Sequence, residues 1–179
     1  RGGEHSISSG AVSAVAERHP DLVLVQLDAH ADLREEWLGA RHSHACAMRR
    51  CLEVLPSGDL LQLAIRSGTR LEFQELWHSG RLIQDCPALA HAMQNLAGRP
   101  IYLTVDLDWF DPSVLPGTGT PEPGGFHWSD FAQVLQVLQD HRLVGADVVE
   151  LAPQLDVSGA SAVLAAKVVR SLLLLMASE

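Results

Sequence analysis

Two short clusters of aspartate and histidine have the side chains and the spacing needed to bind metal ions. The first is Asp28-Ala29-His30-Ala31-Asp32, and the second is Asp106-Leu107-Asp108. Residues two apart in an extended segment project to the same side, so the side chains within each cluster can converge. Four carboxylates brought together need a cation, because like charges at close range otherwise force protonation. Carboxylate and imidazole ligands favour Mn²⁺ or Mg²⁺ over Zn²⁺, which prefers thiolates.

Each of these segments also has an explanation without a metal. Aspartates commonly cap helices or fill solvated turns, although two clusters that each follow an apolar run favour the metal site. His5 is a further candidate ligand within Gly2-Gly3-Glu4-His5-Ser6. That segment could equally be a turn that opens a helix, with Ser6 as the N-cap.

The clusters require a scaffold that brings their segments to one place. Four apolar runs predict buried strands, at residues 22–27, 60–65, 101–105 and 143–149. Six amphipathic segments predict helices, at residues 7–19, 45–55, 70–78, 88–96, 128–141 and 160–176. Strands that alternate with helices predict an α/β domain with a mostly parallel sheet, in which ligands bind beyond the carboxyl ends of the strands.

Length and composition limit the classes of function. A chain of 179 residues with 47% hydrophobic residues predicts one domain with a sizeable core. The net charge of −9 argues against nucleic-acid binding and is compatible with a small cationic substrate. Three cysteines without C-x-x-C spacing argue against a disulfide framework and indicate a reducing compartment, for which we expect the cytoplasm. Residues 163–177 are apolar but are interrupted by Lys167 and Arg170, so we expect a buried terminal helix and no membrane span.

Five motifs resemble those of the ureohydrolase family of arginases and agmatinases, and they occur in the same order. They are Gly-Gly-Glu-His-Ser at 2–6, the cluster at 28–32, Ser-His-Ala at 43–45, Asp-Leu-Asp-Trp-Phe-Asp-Pro at 106–112, and Pro-Gly-Thr-Gly-Thr-Pro-Glu-Pro-Gly-Gly at 116–125. The resemblance implies a three-layer, doubly wound parallel α/β sheet that forms one domain over residues 1–179 and is truncated at its amino end. Since family members are longer there, we expect the chain by itself not to be a stable enzyme.

The resemblance also implies a site with two Mn²⁺ ions. Its six ligands would be His5, Asp28, His30, Asp32, Asp106 and Asp108, with Asp28 and Asp106 bridging the ions. A hydroxide held between the ions would attack the guanidinium carbon, and Asp32 would accept a hydrogen bond from it. His44 would pass a proton to the leaving amine, with the nearby His42 as the alternative. Glu150, which closes the fourth strand, would pair with the guanidinium unless it only caps a helix, and alternation points Asp147 to the other side, in a structural role.

The reaction expected from this resemblance is hydrolysis of agmatine to putrescine and urea by a homo-oligomer, a trimer or a hexamer. The choice of agmatine depends on Glu35-Glu36, which would repel a carboxylate and tolerate an ammonium group. Guanidinobutyrase and arginase activities remain alternatives, as does a non-catalytic metal-binding subunit. A further alternative is the deacetylase branch of this fold, which uses a single Zn²⁺, although six intact ligand positions argue against it.

Overall fold

The computed structural model describes residues 3–55 and 58–177, so Gly2, the first residue of the first motif, lies outside the described residues. The strands are β1 (Val23–Leu27), β2 (Leu60–Leu63), β3 (Leu82–Ile83), β4 (Pro100–Asp106) and β5 (Arg142–Val149). The helices are α1 (Ser8–Ala16), α2 (Ala47–Val54), α3 (Arg70–Ser79), α4 (Cys86–Gln94), α5 (Trp128–Leu138) and α6 (Ala160–Met176). All strands pair in parallel, in the order β3-β2-β1-β4-β5.

The four predicted strands and six predicted helices are all present, and local sequence explains several of their ends. Thr69 and Glu72 form a capping box at the start of α3, and Gly80 ends that helix in a left-handed conformation. The side chain of Asp85 accepts a hydrogen bond from the backbone of Ala88 and so caps α4. Strand β3 has two residues, which is too short to produce the apolar run from which strands were predicted.

Helices cover both faces of the sheet, which confirms the predicted three layers. Helices α1, α2 and α3 pack on one face, while α4, α5 and α6 pack on the other. Successive strand residues alternate between the two cores, so that Leu24 faces the first layer while Val23 and Val25 face the second. Burial on both faces explains why the strand segments are nearly continuous apolar runs.

The order of the strands creates the crevice in which the clusters lie. The chain passes from β1 outward through β2 to β3 and then returns to the other side of β1 as β4. Such a reversal opens a crevice at the carboxyl ends of the two central strands. The register pairs Leu27 of β1 with Val105 of β4, so Asp28 and Asp106 leave the sheet side by side.

Helix α6 is buried along one face only, which corrects the expectation of a buried terminal helix. Ala165, Val168 and Leu172 enter the core, whereas Val163 and Leu173 remain 71% and 64% exposed. No helix among residues 3–55 and 58–177 is long and apolar enough to cross a membrane. The three cysteines are free and buried, as expected for packing residues.

The close approach of β5 to Tyr102 predicts a specific effect on stability. A Cβ added at Gly145 would lie 2.7 Å from the Tyr102 ring, and the ring is held in place by a hydrogen bond from its hydroxyl to Asp147. Gly145→Ala should therefore lower the free energy of unfolding by about 1–3 kcal/mol, measured by urea denaturation. Gly10 in α1 is the control, because a Cβ there meets no atom within 4 Å. Gly10→Ala should be neutral or stabilising by up to about 1 kcal/mol, and equal losses in both variants would contradict the prediction.

Candidate metal centre

The six predicted metal ligands meet beyond the carboxyl ends of β1 and β4. Asp28 directly follows β1, Asp106 is the last residue of β4, and Asp108 lies in the 3-10 helix Leu107–Trp109 that continues from it. His5 lies in a second 3-10 helix, His5–Ile7, immediately before α1. Its ring is fully buried beneath the strand ends.

The first group of ligand atoms surrounds His5. Its Nδ1 lies 3.1 Å from Asp28 Oδ2, 3.1 Å from Asp32 Oδ2 and 3.2 Å from Asp106 Oδ2. Within residues 3–55 and 58–177, no partner is aligned for a hydrogen bond with this buried nitrogen. Adjacent ligand atoms of an octahedral cation with bonds of about 2.1 Å are about 3 Å apart, so the arrangement fits a small divalent metal ion.

The second group shares Asp28 with the first. His30 Nδ1 lies 2.9 Å from Asp108 Oδ2 and 3.7 Å from Asp28 Oδ1, so Asp28 offers one oxygen to each group. This geometry is what a bridging carboxylate requires. Asp106 directs Oδ2 toward His5, while its Oδ1 accepts a hydrogen bond from the Asp108 backbone at 2.9 Å. A bridging role for Asp106 therefore stays a prediction.

Crowding of like charges perturbs the protonation of the acidic residues. Burial and the charges of Asp108 and Asp28 raise the pKa of Asp106 well above its usual range. Burial and the charge of Asp28 likewise raise the pKa of Asp32. Burial would also raise the pKa of Asp28, but its contacts with His30 and His5 hold it below the ordinary value. One carboxylate of the site is thus compensated within the protein, while its neighbours favour an additional positive charge.

In both histidines, the neighbouring carboxylates favour the charged form of the ring. Burial would lower the pKa of His30, yet its contacts with Asp108 and Asp28 raise it to about 11. Burial would also lower the pKa of His5, but three surrounding carboxylates raise it well above its usual range. The space between the imidazoles and the carboxylates therefore attracts a cation, whether a proton or a metal ion.

Two predicted site residues have an unusual backbone conformation. Asp32 has a φ of 53° and Glu150 has a φ of 66°. Both values lie in the left-handed region, which residues other than glycine rarely adopt. The turn at Glu150 is held from both sides, because its amide donates to Gly3 O and its Oε1 accepts from the His5 amide at 2.7 Å. Strained residues of this kind are concentrated at functional sites, where the surrounding structure holds them.

A cleft of about 430 Å³ opens onto the ligand groups, and it contains the other predicted site residues. Glu150 and His44 both line its wall. His44 is 48% exposed, and its Nδ1 lies 3.2 Å from Glu4 Oε1. The alternative, His42, is exposed and does not line the cleft, so the geometry favours His44.

The expectation for Glu35-Glu36 is wrong about where these side chains lie. Glu35 pairs with Arg50 and Arg41, at 2.9 Å in each case, and neither glutamate lines the cleft. Among residues 33–43, those that do line the cleft are Arg34 and Trp37. The Arg34 guanidinium lies over the Trp37 ring at 4.1 Å from its centroid.

Several supporting residues escaped the sequence analysis. Gln26 donates to Asp28 Oδ2 at 2.6 Å from within β1, and a glutamine in a fully buried strand was a usable signal. The Arg66 guanidinium donates to Asp108 O at 2.7 Å and to Glu122 O at 2.8 Å, and so ties the 116–125 loop to the ligand segment. Arg66 follows β2, so inspection of every strand end would have found it.

Comparisons with known proteins identify the family. The sequence profile of the arginase family matches residues 1–175. An agmatinase from Halalkalibacterium halodurans is 37% identical over 178 residues, which are 97% of this chain and 62% of that protein. The mitochondrial guanidino acid hydrolase of Homo sapiens is 34% identical, with 96% of this chain and 53% of that protein aligned. The solved structure of proclavaminate amidino hydrolase from Streptomyces clavuligerus superposes with a TM-score of 0.86 at 32% identity, and the match covers 98% of this chain and 63% of that one. The chain thus spans less than two thirds of the length of these relatives.

The opposite pKa shifts of Asp28 and Asp32 predict opposite effects when each is neutralised in the metal-free protein. At pH 8, Asp32→Asn should raise the free energy of unfolding by an amount on the order of 1–3 kcal/mol, because an ionised carboxylate with a raised pKa destabilises the folded state. Asparagine also tolerates the left-handed conformation. Asp28→Asn should destabilise the protein, since the lowered pKa shows that the folded state favours that charge.

Urea denaturation with a chelator at pH 8 and pH 5 measures both effects. Asp32 does not lower the free energy of unfolding below the pKa of about 4 that it has in the unfolded chain, and it lowers that free energy increasingly as the pH rises toward the pKa in the folded state. The increase in the free energy of unfolding in Asp32→Asn should therefore be smaller at pH 5 than at pH 8. The Asp28 contribution is present above about pH 4, so the loss in Asp28→Asn should persist at pH 5. Destabilisation by Asp32→Asn at both pH values would contradict the electrostatic account.

Proposed function

The chain belongs to the arginase family, and we therefore propose that it carries the metal centre and cleft of an agmatinase-type ureohydrolase that converts agmatine and water to putrescine and urea. The observation that carries the proposal is the convergence of two imidazoles and four carboxylates beneath a cleft that Glu150 and His44 also line. The agmatinase at 37% identity supports agmatine as the substrate. Because the chain covers only part of its relatives, the proposal concerns the whole protein of which these residues form the site.

We propose two Mn²⁺ ions as the cofactor. His5, Asp32 and Asp106 would hold one ion, His30 and Asp108 the other, and Asp28 would contribute an oxygen to each. Every donor atom in this set is a nitrogen or an oxygen, and among the described residues the buried Nδ1 of His5 has no hydrogen-bond partner. Both observations support this assignment. A pair of such ions lowers the pKa of water and so supplies a nucleophile at neutral pH.

Glu150 would bind and orient the guanidinium group of the substrate. A carboxylate can accept two parallel hydrogen bonds from a planar guanidinium, which fixes the direction of the electrophilic carbon. One oxygen of Glu150 already accepts a hydrogen bond from the His5 amide. The carboxylate that would bind the guanidinium is therefore connected directly to a candidate metal ligand. Burial raises the pKa of Glu150, and a cationic guanidinium would favour the ionised form.

His44 would supply the proton that the departing amine needs. Water adds to the guanidinium carbon, and the carbon–nitrogen bond then breaks as the amine nitrogen is protonated, which leaves urea and an alkylamine. His44 lies on the cleft wall and is about half exposed, so it can exchange protons with solvent. Glu4 Oε1 lies 3.2 Å from its Nδ1 and would favour one orientation of the ring, with Nε2 as the atom that gives up the proton.

A guanidino acid is the second candidate substrate class. Arg34 lines the cleft, and a guanidinium there can pair with a carboxylate, which agmatine lacks and guanidino acids possess. The guanidino acid hydrolase among the relatives supports the same class. The position of Arg34 therefore makes a comparison of the two substrates decisive.

The function is tested by urea release from the full-length gene product supplied with Mn²⁺. Agmatine should give a kcat/KM at least about tenfold above those of 4-guanidinobutyrate and arginine, a discrimination of about 1.4 kcal/mol. Asp106→Asn should lose at least one metal ion, measured by elemental analysis, and most urea release with it. Preference for guanidinobutyrate would assign the second class, and metal binding without urea release from any of the three compounds would indicate a non-catalytic metal-binding protein.

Variants of the cleft wall should separate substrate binding from proton transfer. Glu150→Gln keeps the shape but removes the charge, so KM should rise by about ten- to a hundredfold while the metal content is unchanged. His44→Asn should lower kcat by about a hundredfold or more with little effect on KM, because the proton is needed in the transition state. His42→Asn is the matched control and should behave as wild type. If His42→Asn is the damaging change, the assignment of the proton donor is wrong.

A further inference from the structure

A buried chain of hydrogen bonds connects strand β5 with the ring of His5. Asp147 Oδ1 accepts a hydrogen bond from the Thr104 hydroxyl at 2.6 Å. Thr104 Oγ1 in turn lies 3.0 Å from His5 Nε2, and both residues are fully buried. The other oxygen of Asp147 accepts from the Tyr102 hydroxyl at 2.9 Å. We refer to the first three residues, Asp147, Thr104 and His5, as the β5–His5 chain.

The hydrogen bonds of the β5–His5 chain can be donated in one direction only, from His5 toward Asp147. A threonine hydroxyl has a single hydrogen, and that of Thr104 is donated to Asp147. Its oxygen can then only accept from His5, so Nε2 carries the ring hydrogen. Ser8 Oγ, at 3.4 Å from the same oxygen, must also be a donor. A neutral imidazole protonated at Nε2 has a bare lone pair at Nδ1.

That lone pair faces the carboxylates of the first ligand group. Oxygens of Asp28, Asp32 and Asp106 lie 3.1–3.2 Å from Nδ1, and four lone-pair atoms at such distances repel one another unless a cation lies among them. The opposite tautomer, with its hydrogen on Nδ1, would donate to a carboxylate and fill the position of the cation. That tautomer requires the Thr104 hydrogen to turn toward Nε2, which its hydrogen bond to Asp147 prevents.

We propose that Asp147 is a positioning residue that acts through Thr104 to hold His5 in the tautomer that binds metal. The inference rests on the proposed function, because it takes His5 as a metal ligand. Loss of the β5–His5 chain should lower the affinity for one of the two ions by about 10–100-fold, which is the range for residues that orient metal-binding histidines. The ion at His30 should be little affected, because the His30 ring nitrogen contacts Asp108 and Asp28 and takes no part in the chain.

The test is stepwise Mn²⁺ binding to the full-length protein, measured by competition with a chelator in the absence of substrate. Thr104→Val keeps the shape and removes the hydroxyl, whereas Thr104→Ser keeps the hydroxyl. Thr104→Val and Asp147→Ala, which removes the acceptor of the Thr104 hydrogen, should each weaken the binding of one ion by about 10–100-fold, and Thr104→Ser should bind both ions as wild type does. Tyr102→Phe removes the other partner of Asp147 and should also bind as wild type. Thermal unfolding of each metal-free variant monitors structural damage.

The possible results distinguish orientation of His5 from general damage. Weaker binding of one ion in Thr104→Val with rescue in Thr104→Ser supports the proposal, and Asp147→Ala provides the same test if the valine variant does not fold. Wild-type affinity in Thr104→Val and Asp147→Ala would overturn it, as would equally weakened binding of both ions or equal losses in the serine and valine variants. A wild-type protein that binds no pair of ions would instead refute the proposed metal centre, and this inference with it.

Discussion

Mutual repulsion among four buried aspartates is the constraint to which the surrounding structure responds. Asp28, Asp106 and Asp108 are each at most 3% exposed, and Asp32 is 6% exposed, so water cannot screen their charges. The protein compensates only part of this charge. Gln26 and backbone amides donate to individual oxygens, while the two imidazoles lie between the carboxylates. The remaining negative charge is what gives the site its affinity for cations.

The parallel sheet provides the rigidity that such crowding requires. Asp28 and Asp106 follow neighbouring strands in fixed register, so their carboxylates cannot separate without breaking strand pairing. The end of β5 then secures His5 against them, through the Glu150 side chain, which accepts the His5 amide, and through the β5–His5 chain. Arg66 secures the other side by joining the carbonyls of Asp108 and Glu122. His5 and Asp108 are thereby held by residues distant from them in sequence.

The site also separates a buried wall from a more exposed one. The ligand carboxylates are buried, which strengthens their interaction with cations because the local dielectric is low. His44 and Glu4 are about half exposed at the rim, where a proton can reach solvent. Glu150 lies between these two regions and contacts His5 while it lines the cleft. Under the proposed function, this gradient of exposure would place charge stabilisation, substrate orientation and proton exchange at successive depths.

Sequence alone determined four of the five described strands, the helices and the residue types at the candidate metal centre, because each is encoded within a few neighbouring positions. Apolar runs mark buried strands, capping residues mark helix ends, and Asp28, His30, Asp32, Asp106 and Asp108 form compact motifs. Only the tertiary structure decided that Asp28 serves both ligand groups, that Asp32 and Glu150 adopt left-handed conformations, and that Glu35 turns away to Arg50 and Arg41. It also decided that Arg66 contacts Asp108 and that Asp147 contacts Thr104. The reason is that these contacts join segments far apart in the chain, such as His5 and Glu150, which are 145 positions apart, and packing of the whole sheet sets their geometry.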